Sequence, residues 1–401
     1  MAILDGIQTL DELKLENQRA FLRLDLDVPV EGGALVGDDR LHTALPTIQH
    51  ALRAGARVVL AARLGNPNGR AVPALSLLPV AERLSELLAT EVYLPDDCVG
   101  DAARKVVQDL RAGHVCLLEN LDFHEEEASN DEGFARKLAR FADVFINDSL
   151  RDSTRAVASL DALPRLVRER GMGVALAAEL SALSRVYEKP ERPLVLVAGG
   201  DNAAEKLDFV RAWLPRVDAI LVGGALGNTL LTARGTDLGD SLVDRSLLAR
   251  GRALLSDARD NDVELLLPVD LVVAESEAAL TGRVVPAAPL GKGTFAMDIG
   301  PKTAEIFAAR AKRAKMLLWN GPLGLGKNPT FAQGTLGFAQ SFGEGPPFRV
   351  VVGEDTKLAL QRADAELTSR IGFVSAGGRA SLELIEGRRL PGLEALRGGV
   401  A

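Results

Sequence analysis

The chain is short of the residues that would build a disulfide framework, a zinc finger or a histidine-driven catalyst. Among 401 residues there are two cysteines and four histidines. Cys98 and Cys116 cannot form a disulfide scaffold, and neither stands at metal-ligand spacing from a second thiol or a histidine. Both lie in apolar stretches and are expected to pack in the core. His42, His50, His114 and His124 show no triad-like spacing with a carboxylate and a nucleophile. No run approaches the ~20 apolar residues that a membrane-spanning helix needs. The opening MAILDGIQTLDELKLENQ carries a single lysine among several acids and has no apolar stretch of signal-peptide type. Acids outnumber bases, 55 to 47. A formal net charge of −8 offers no basic stripe for nucleic acid. The expectation is a cytoplasmic protein with neither a membrane nor a nucleic-acid partner.

What is present reads as ordinary globular material, 47% hydrophobic and 25% charged. The length exceeds what one hydrophobic core usually serves, so two lobes are expected. Short apolar runs end at Gly, Asn, Asp or Pro and read as strands. They are Ala20–Leu26, Val58–Ala62, Val115–Leu118, Val144–Asn147, Leu194–Ala198, Ala219–Val222, Leu265–Leu267, Met316–Trp319 and Val350–Val352. Between them, Leu77–Ala89, Glu132–Phe141, Ala203–Trp213 and Ala304–Ala314 carry a helical period. Alternation throughout predicts an α/β fold: two Rossmann-like lobes, each a parallel sheet flanked by helices. Val174–Tyr187 is helical along its whole length, near mid-chain, and reads as the hinge helix joining them. The predicted division is residues 1–172 for the first lobe, 173–189 for the interdomain helix and 190–381 for the second lobe. Residues 382–401 read as a tail packing near the hinge or the first lobe. No internal repeat is visible.

The motifs, in order, are LDLDVP, DDR…ALPT, RLGNPNG, SLLPVAERLSELL, LLENLDFHEEE, DVFINDS, GGDNAAEK, LPVD, DIGP, WNGPLG, GEDT and SAGGRASLELIEG. Their order and spacing resemble the phosphoglycerate kinase family over essentially the entire chain. The resemblance implies a glycolytic kinase. Its first lobe would bind 3-phosphoglycerate on a cationic patch and its second Mg-ADP or Mg-ATP. Lobe closure would then move a phosphoryl group to or from a carboxylate. It also implies a monomer.

Carried over residue by residue, the resemblance assigns substrate binding to Arg23, Asp25, Asp27, Arg40, Arg63, Asn66, Asp122 and Arg155. A phosphorylated acid rewards guanidinium forks, and Arg23, Arg40 and Arg155 keep them. Arg63 stands where the family has histidine. Elsewhere the cation is lost. The family's arginine in S-H-L-G-R-P is Asn66, its arginine in L-E-N-L-R-F is Asp122, the histidine before Arg155 is Thr154, and the asparagine of N-V-P is Asp27. At ~4 Å and an effective dielectric near 20, each unit charge counts for roughly 4 kcal/mol, and Asp122 changes two. Its carboxylate either faces the substrate or points away and extends the acidic run Glu125–Glu127.

For the nucleotide the resemblance assigns Gly199, Gly200, Asn202, Lys206, Asn320, Lys327, Gly353, Asp355 and Thr356, with Asp355 carrying Mg2+. Asp298 is also kept. GGDNAAEK keeps the second lysine of G-G-A-K-x-x-D-K as Lys206, but the first, which follows the migrating phosphoryl group, is Asn202. Losing one such stabiliser typically costs roughly 2.7–4 kcal/mol. VGEDT crowds its loop with Glu354, and Lys327 replaces the acid that holds the ribose. SAGGRAS puts Arg379 where the family has glycine. Arg40, Arg155, Lys206, Gly377, Gly378 and Arg379 are the expected catalytic set, with Gly377 and Gly378 offering helix-start amides. Arg379 is a candidate to return the cation missing at Asn202. GPLGLGKN imitates a Walker A loop but follows its lysine with Asn328 and Pro329, which removes the hydroxyl for Mg2+.

Three functions follow. The chain is a working kinase of this type, a kinase for a less anionic acid, or a non-catalytic relative that binds a metabolite or a protein partner. Whole-chain resemblance supports the first two, and joint changes at Asn66, Asp122, Asn202, Lys327 and Arg379 support the last two.

Overall fold

The computed structural model describes residues 2–324, 328–342, 348–363, 367 and 371–398. The chain divides into two compact units, Met1–Ser181 with Gly387–Ala401, and Ala182–Glu386. The helix Val174–Glu188 runs across the division. Residues 382–386, read above as the start of a tail, lie in the second unit, where Arg379–Ile385 is helical.

In the first unit the strands are β1 (Gln8–Thr9), β2 (Arg19–Arg23), β3 (Val30–Glu31), β4 (Ala34–Leu35), β5 (Arg57–Ala61), β6 (Val92–Tyr93), β7 (Val115–Leu117), β8 (Val144–Asn147) and β9 (Glu169–Met172). Seven of them form one sheet in the order β1-β9-β8-β2-β5-β7-β6, and every pairing is parallel. β3 and β4 make a small antiparallel hairpin. The four middle strands are buried on both faces, which explains their near-continuous apolar sequences. Leu22, Leu60, Val58, Leu117 and Ile146 join Leu41, Ile48 and Leu84 from the covering helices in one core.

In the second unit the strands are β10 (Leu194–Ala198), β11 (Ala219–Val222), β12 (Glu264–Leu266), β13 (Asp270–Ala274), β14 (Arg283–Pro286), β15 (Phe295–Ile299), β16 (Met316–Asn320), β17 (Phe348–Val352) and β18 (Phe373–Val374). Six make a parallel sheet in the order β12-β11-β10-β16-β17-β18. β10, β11 and β16 are wholly buried. Trp319 packs edge-on against Phe338, with ring centroids 5.0 Å apart. One expectation fails here. Alternation does not hold throughout, because β14, β13 and β15 form a separate antiparallel sheet. The loops joining these strands carry no helix, and a parallel return needs a crossover of a dozen or more residues.

The last residues of the chain brace the first unit. Asn147 Nδ2 donates to the Gly392 carbonyl at 3.4 Å, and Arg170 Nη2 to the Arg397 carbonyl at 2.9 Å. A Cβ at Gly392 would lie 2.9 Å from the Ser153 backbone, so only glycine fits there. The segment therefore supports the loop that follows β8.

Candidate functional site

In open parallel sheets, ligands sit outside the carboxyl ends of the strands. In the first unit this edge is crowded with charge. Arg23 ends β2, with Asp25 and Asp27 just beyond; Arg63 follows β5; Asp122 follows β7; Arg151, Asp152 and Arg155 follow β8. Arg40 comes from the first turn of the helix Asp39–Arg53.

Asp152 is the centre of this group. It is 1% exposed, and its carboxylate accepts from Arg23 Nη2 at 2.9 Å and Arg63 Nε at 2.8 Å. Burial opposes its charge, yet Arg23 and Arg63 hold its pKa down to about 2. Arg63 also meets Asp27 at 3.1 Å. Arg40 Nη1 donates to Asp25 Oδ1 at 2.6 Å, and Arg151 Nε lies 3.4 Å from Asp25 Oδ2. Burial and the neighbouring Asp152 push Asp25 upward against the pull of Arg40 and Arg151. Arg155 faces Asp122 as a two-pronged fork, both bonds 3.2 Å.

The structure corrects two readings of this region. Asp122 does not extend a solvated acidic run: it is buried and turned to Arg155, with its backbone N–H held by Asn120 Oδ1. Glu127, from the same run, is fully buried, accepts from Ser159 N–H and Oγ, and is pushed upward by burial. Arg23 is brought to the group but lies beneath it. At 0% exposure its guanidinium is spent on Asp152, Ser159 Oγ and the Leu24 carbonyl. It positions Asp152 and offers nothing to a ligand. Asn66 is exposed in the loop after Arg63.

Sequence reasoning missed Arg151 and Asp152. The only signal was local: an aspartate flanked by arginines in SLRDSTR, directly after a strand.

A second mixed cluster lies in the same unit. Asp97, Cys98 and His124 have ligand-type atoms within 4.8 Å of one another, although spacing alone did not join Cys98 to a histidine. Asp97 Oδ1 is 2.6 Å from His124 Nε2, a bond that raises His124 and, against burial, lowers Asp97. Cys98 is buried, as Cys116 is, and burial raises both thiols.

In the second unit the carboxyl ends of β10, β11, β16 and β17 turn on glycines. A Cβ at Gly199 would lie 2.1 Å from the Pro322 carbonyl oxygen, one at Gly321 2.1 Å from the Gly199 oxygen, and one at Gly224 2.4 Å from the Gly200 oxygen. Three backbones thus touch with no room for side chains, tied by Gly200 N–H to the Pro322 carbonyl at 2.7 Å and Gly224 N–H to the Leu323 carbonyl at 2.9 Å. The helix Ala203–Trp213 starts beside this floor. Lys206 folds back over it, its Cε 3.6 Å from where a Gly200 Cβ would stand, and its Nζ pairs with Glu205 at 2.8 Å. Asn202 caps the same helix, its Oδ1 accepting the Glu205 N–H at 3.1 Å. Beyond the glycines a cleft is lined by Gly200, Asp201, Leu271, Met297, Asp298 and Gly324. Burial raises Asp298 to about 7 while it accepts from the Gly334 and Ile299 amides.

Other expected residues have defined places. Asn320 donates to the Val352 carbonyl, and its Oδ1 is buried without a partner among the described residues. Gly353 has φ +99° and passes beside the Asn320 side chain. Thr356 is buried and accepts the Gly321 N–H at 2.7 Å, while Asp355 next to it is exposed. The Gly377 amide is already engaged by Ser375 Oγ at 3.2 Å, and Gly378 precedes a helix of only seven residues. The pair therefore provides less of an anion site than the glycines suggested. Arg379 is exposed and bonds Glu383 on the next turn of its own helix at 2.8 Å. Lys327 lies outside the described residues.

Nucleotide and magnesium fit this donor set. A glycine floor leaves room for polyphosphate close to backbone, Lys206 supplies a cation, and the orphan Asn320 Oδ1 is a buried acceptor with capacity left.

Known proteins agree with this architecture. The family model described as phosphoglycerate kinase matches residues 10–388. A curated phosphoglycerate kinase of Anaeromyxobacter dehalogenans is 43% identical over 394 residues, 97% of this chain and 99% of that protein. One from Desulforapulum autotrophicum is 39% identical, over 97% and 100%. The solved phosphoglycerate kinase of Coxiella burnetii superposes with a TM-score of 0.88 at 32% identity, covering 97% and 98%. That of Pyrococcus horikoshii superposes at 0.78 with 28% identity over the same shares.

Proposed function

The chain belongs to the phosphoglycerate kinase family, and on that premise we propose a phosphotransferase whose first unit holds a small acid and whose second holds a nucleotide. The observation that carries this reading is the pair of strand-end sites, guanidiniums at the ends of β2, β5 and β8 and a glycine floor beneath Lys206. In the forward step a carboxylate oxygen forms a bond to the γ-phosphorus of ATP while the bond to the bridging oxygen breaks. ADP leaves with the electron pair, and no proton moves. Little covalent work falls to the protein, so positioning and neutralisation decide the rate.

Arg40 and Arg155 are the cations offered to the acid, since Arg23 is spent below. Lys206 and the glycine amides take the nucleotide phosphates. Asp355 and Asn320 would hold magnesium, and the ion would neutralise the phosphate charge. The same reading keeps the protein a monomer in the cytoplasm; no helix among the described residues is long and apolar enough to cross a membrane.

Two observations favour a second reading. Asn202 is used as a helix cap and Asp122 occupies Arg155, so the fold also suits a non-catalytic relative with a binding role. Calorimetric titration with Mg-ADP, followed by a coupled assay with Mg-ATP and 3-phosphoglycerate, separates the two. Turnover that Arg40→Ala lowers in kcat and kcat/KM together supports the kinase. Nucleotide binding with no turnover of any acid supports the binding role.

A further inference from the structure

The guanidiniums at this strand-end edge are, one by one, already answered by carboxylates of the chain. Arg40 and Arg151 have Asp25, Arg63 has Asp27 and Asp152, Arg23 has Asp152, and Arg155 has Asp122. Five cations thus stand among Asp25, Asp27, Asp122, Asp152 and the buried Glu127, which burial pushes toward its neutral form. The group is close to charge balance. It is also tightly interlocked: Arg63 feels Asp152, Asp27 and Asp122 together, and Asp152 feels Arg23, Arg63 and Arg155.

A phosphate arriving at Arg155 meets a fork already turned to the Asp122 carboxylate, whereas Arg40 engages Asp25 through Nη1 and keeps its other N–H groups for an acid. Asp122, with only 8% of its side chain exposed, has little water to retreat into. Each anion–anion approach at contact distance is repulsive. The attraction of the guanidinium behind it is already shared with the carboxylate it holds. A doubly charged tail loses that exchange. A tail of hydroxyl donors gains from it, because a carboxylate has about four acceptor positions. Asp27 uses one oxygen on Arg63 and the other on the Gly65 N–H at 2.8 Å, and Asp122 faces Arg155 alone with its two. Both have lone pairs left for a hydroxyl.

We propose that this subsite takes a small hydroxy acid of single negative charge, its carboxylate on Arg40 and its hydroxyls on Asp27 and Asp122, and rejects a phosphorylated tail. The proposal rests on the phosphotransferase reading for the reacting end and adds the chemistry of the other end.

Glycerate and 3-phosphoglycerate differ only in the phosphoryl group, so calorimetric titration of the full chain with each is the test. Glycerate should bind at least ~10-fold more tightly, and Asp122→Asn should tighten 3-phosphoglycerate by ~10-fold while weakening glycerate, as expected when one anion is removed. Should Asp122→Asn fail to fold, Asp27→Asn gives the same comparison. Tighter binding of 3-phosphoglycerate by the unaltered chain, or binding of neither acid, overturns the proposal. Trapping an acyl phosphate with hydroxylamine in the presence of Mg-ATP tests the phosphotransferase reading separately. Glycerate bound but yielding no hydroxamate would remove that reading and leave the tail preference standing. Hydroxamate from tightly bound 3-phosphoglycerate would do the reverse.

Discussion

Arg155 and Asp122 close on each other in a fork, Nη1 to Oδ2 and Nη2 to Oδ1, both at 3.2 Å. The carboxylate is nearly buried while the guanidinium is about a third exposed, 8% against 32%. The pair therefore presents a cation to solvent with an anion held against its back.

Removing the anion should release the cation. Asp122→Ala is expected to tighten binding of inorganic phosphate by ~10-fold and to steepen its dependence on salt, because an unpaired Arg155 regains full Coulombic reach. Thermal stability should fall by less than ~1 kcal/mol, because the guanidinium left behind is about a third exposed and can hydrate. Phosphate titration at two ionic strengths reads both effects. An unchanged affinity would show that Arg155 is not sequestered by Asp122.

Asp152 should behave in the opposite way. Its removal strands Arg23, which is 0% exposed and has no other anion within bonding distance among the described residues. Breaking a buried pair by deleting one partner costs about 3–5 kcal/mol, so Asp152→Ala should lower the urea midpoint sharply. Asp152→Asn should lose less, since an amide oxygen still accepts from one guanidinium. Equal losses in the two variants would show that the amide oxygen recovers nothing and that the charge alone holds the loop.

Asn202 offers a trade between stability and rate. Its side chain caps the helix Ala203–Trp213 by accepting the Glu205 N–H. Replacing a capping residue typically costs about 0.5–2 kcal/mol. Asn202→Lys should pay that in thermal stability and, if the second unit positions a reacting phosphate, raise kcat by ~100-fold or more. Parallel melting curves and single-turnover assays measure the two sides. A variant that melts earlier and turns over no faster would sink the role given to this position.

Much of this was legible from sequence where one local signal sufficed. Val144–Asn147, Leu194–Ala198 and Ala219–Val222 form the predicted strands to the residue, because strands buried on both faces read as unbroken apolar runs. The helix Ala203–Trp213 was equally plain. The antiparallel sheet of β13–β15 was not, since β14 is largely exposed and the loops between these strands carry no helix to mark the alternation. Nor was Asp152: its burial depends on Arg63 and Arg23, 89 and 129 residues away in sequence. In SLRDSTR it looks like a polar loop residue. The resemblance supplied the positions of the site, and only the fold showed that the anions at Asp27 and Asp122 each face a particular arginine.

Asp148 provides a pH test of the fold. It follows β8 and is buried. It accepts from Thr47 Oγ1 at 2.6 Å and from the Leu176 amide at 2.9 Å, at the start of the helix Val174–Glu188. Burial raises its pKa to about 7, and the bonds from Thr47 and the helix amides offset this only in part. The unfolded chain releases the same proton near the ordinary value of about 3.9. The folded state therefore holds the extra proton, and stability is greatest below that value and declines until pH passes about 7. Above about 7 both states are ionised and this contribution is constant; its full span is at most about 4 kcal/mol. Asp298, also raised to about 7 by burial, adds a second slope of the same sign in the other unit. Asp152, held at about 2, acts oppositely, its contribution being lost only as pH falls below the ordinary carboxylate range. Asp148→Asn should thus remove about one proton's worth of slope, about 1.4 kcal/mol per pH unit, between about pH 4 and 7. The substitution should also make the protein relatively more stable near pH 8 than near pH 5, judged against the unaltered chain. Urea unfolding at several pH values gives the slope directly. Parallel curves for variant and unaltered chain would mean that Asp148 is ionised in the fold, with the helix start and Thr47 outweighing its burial.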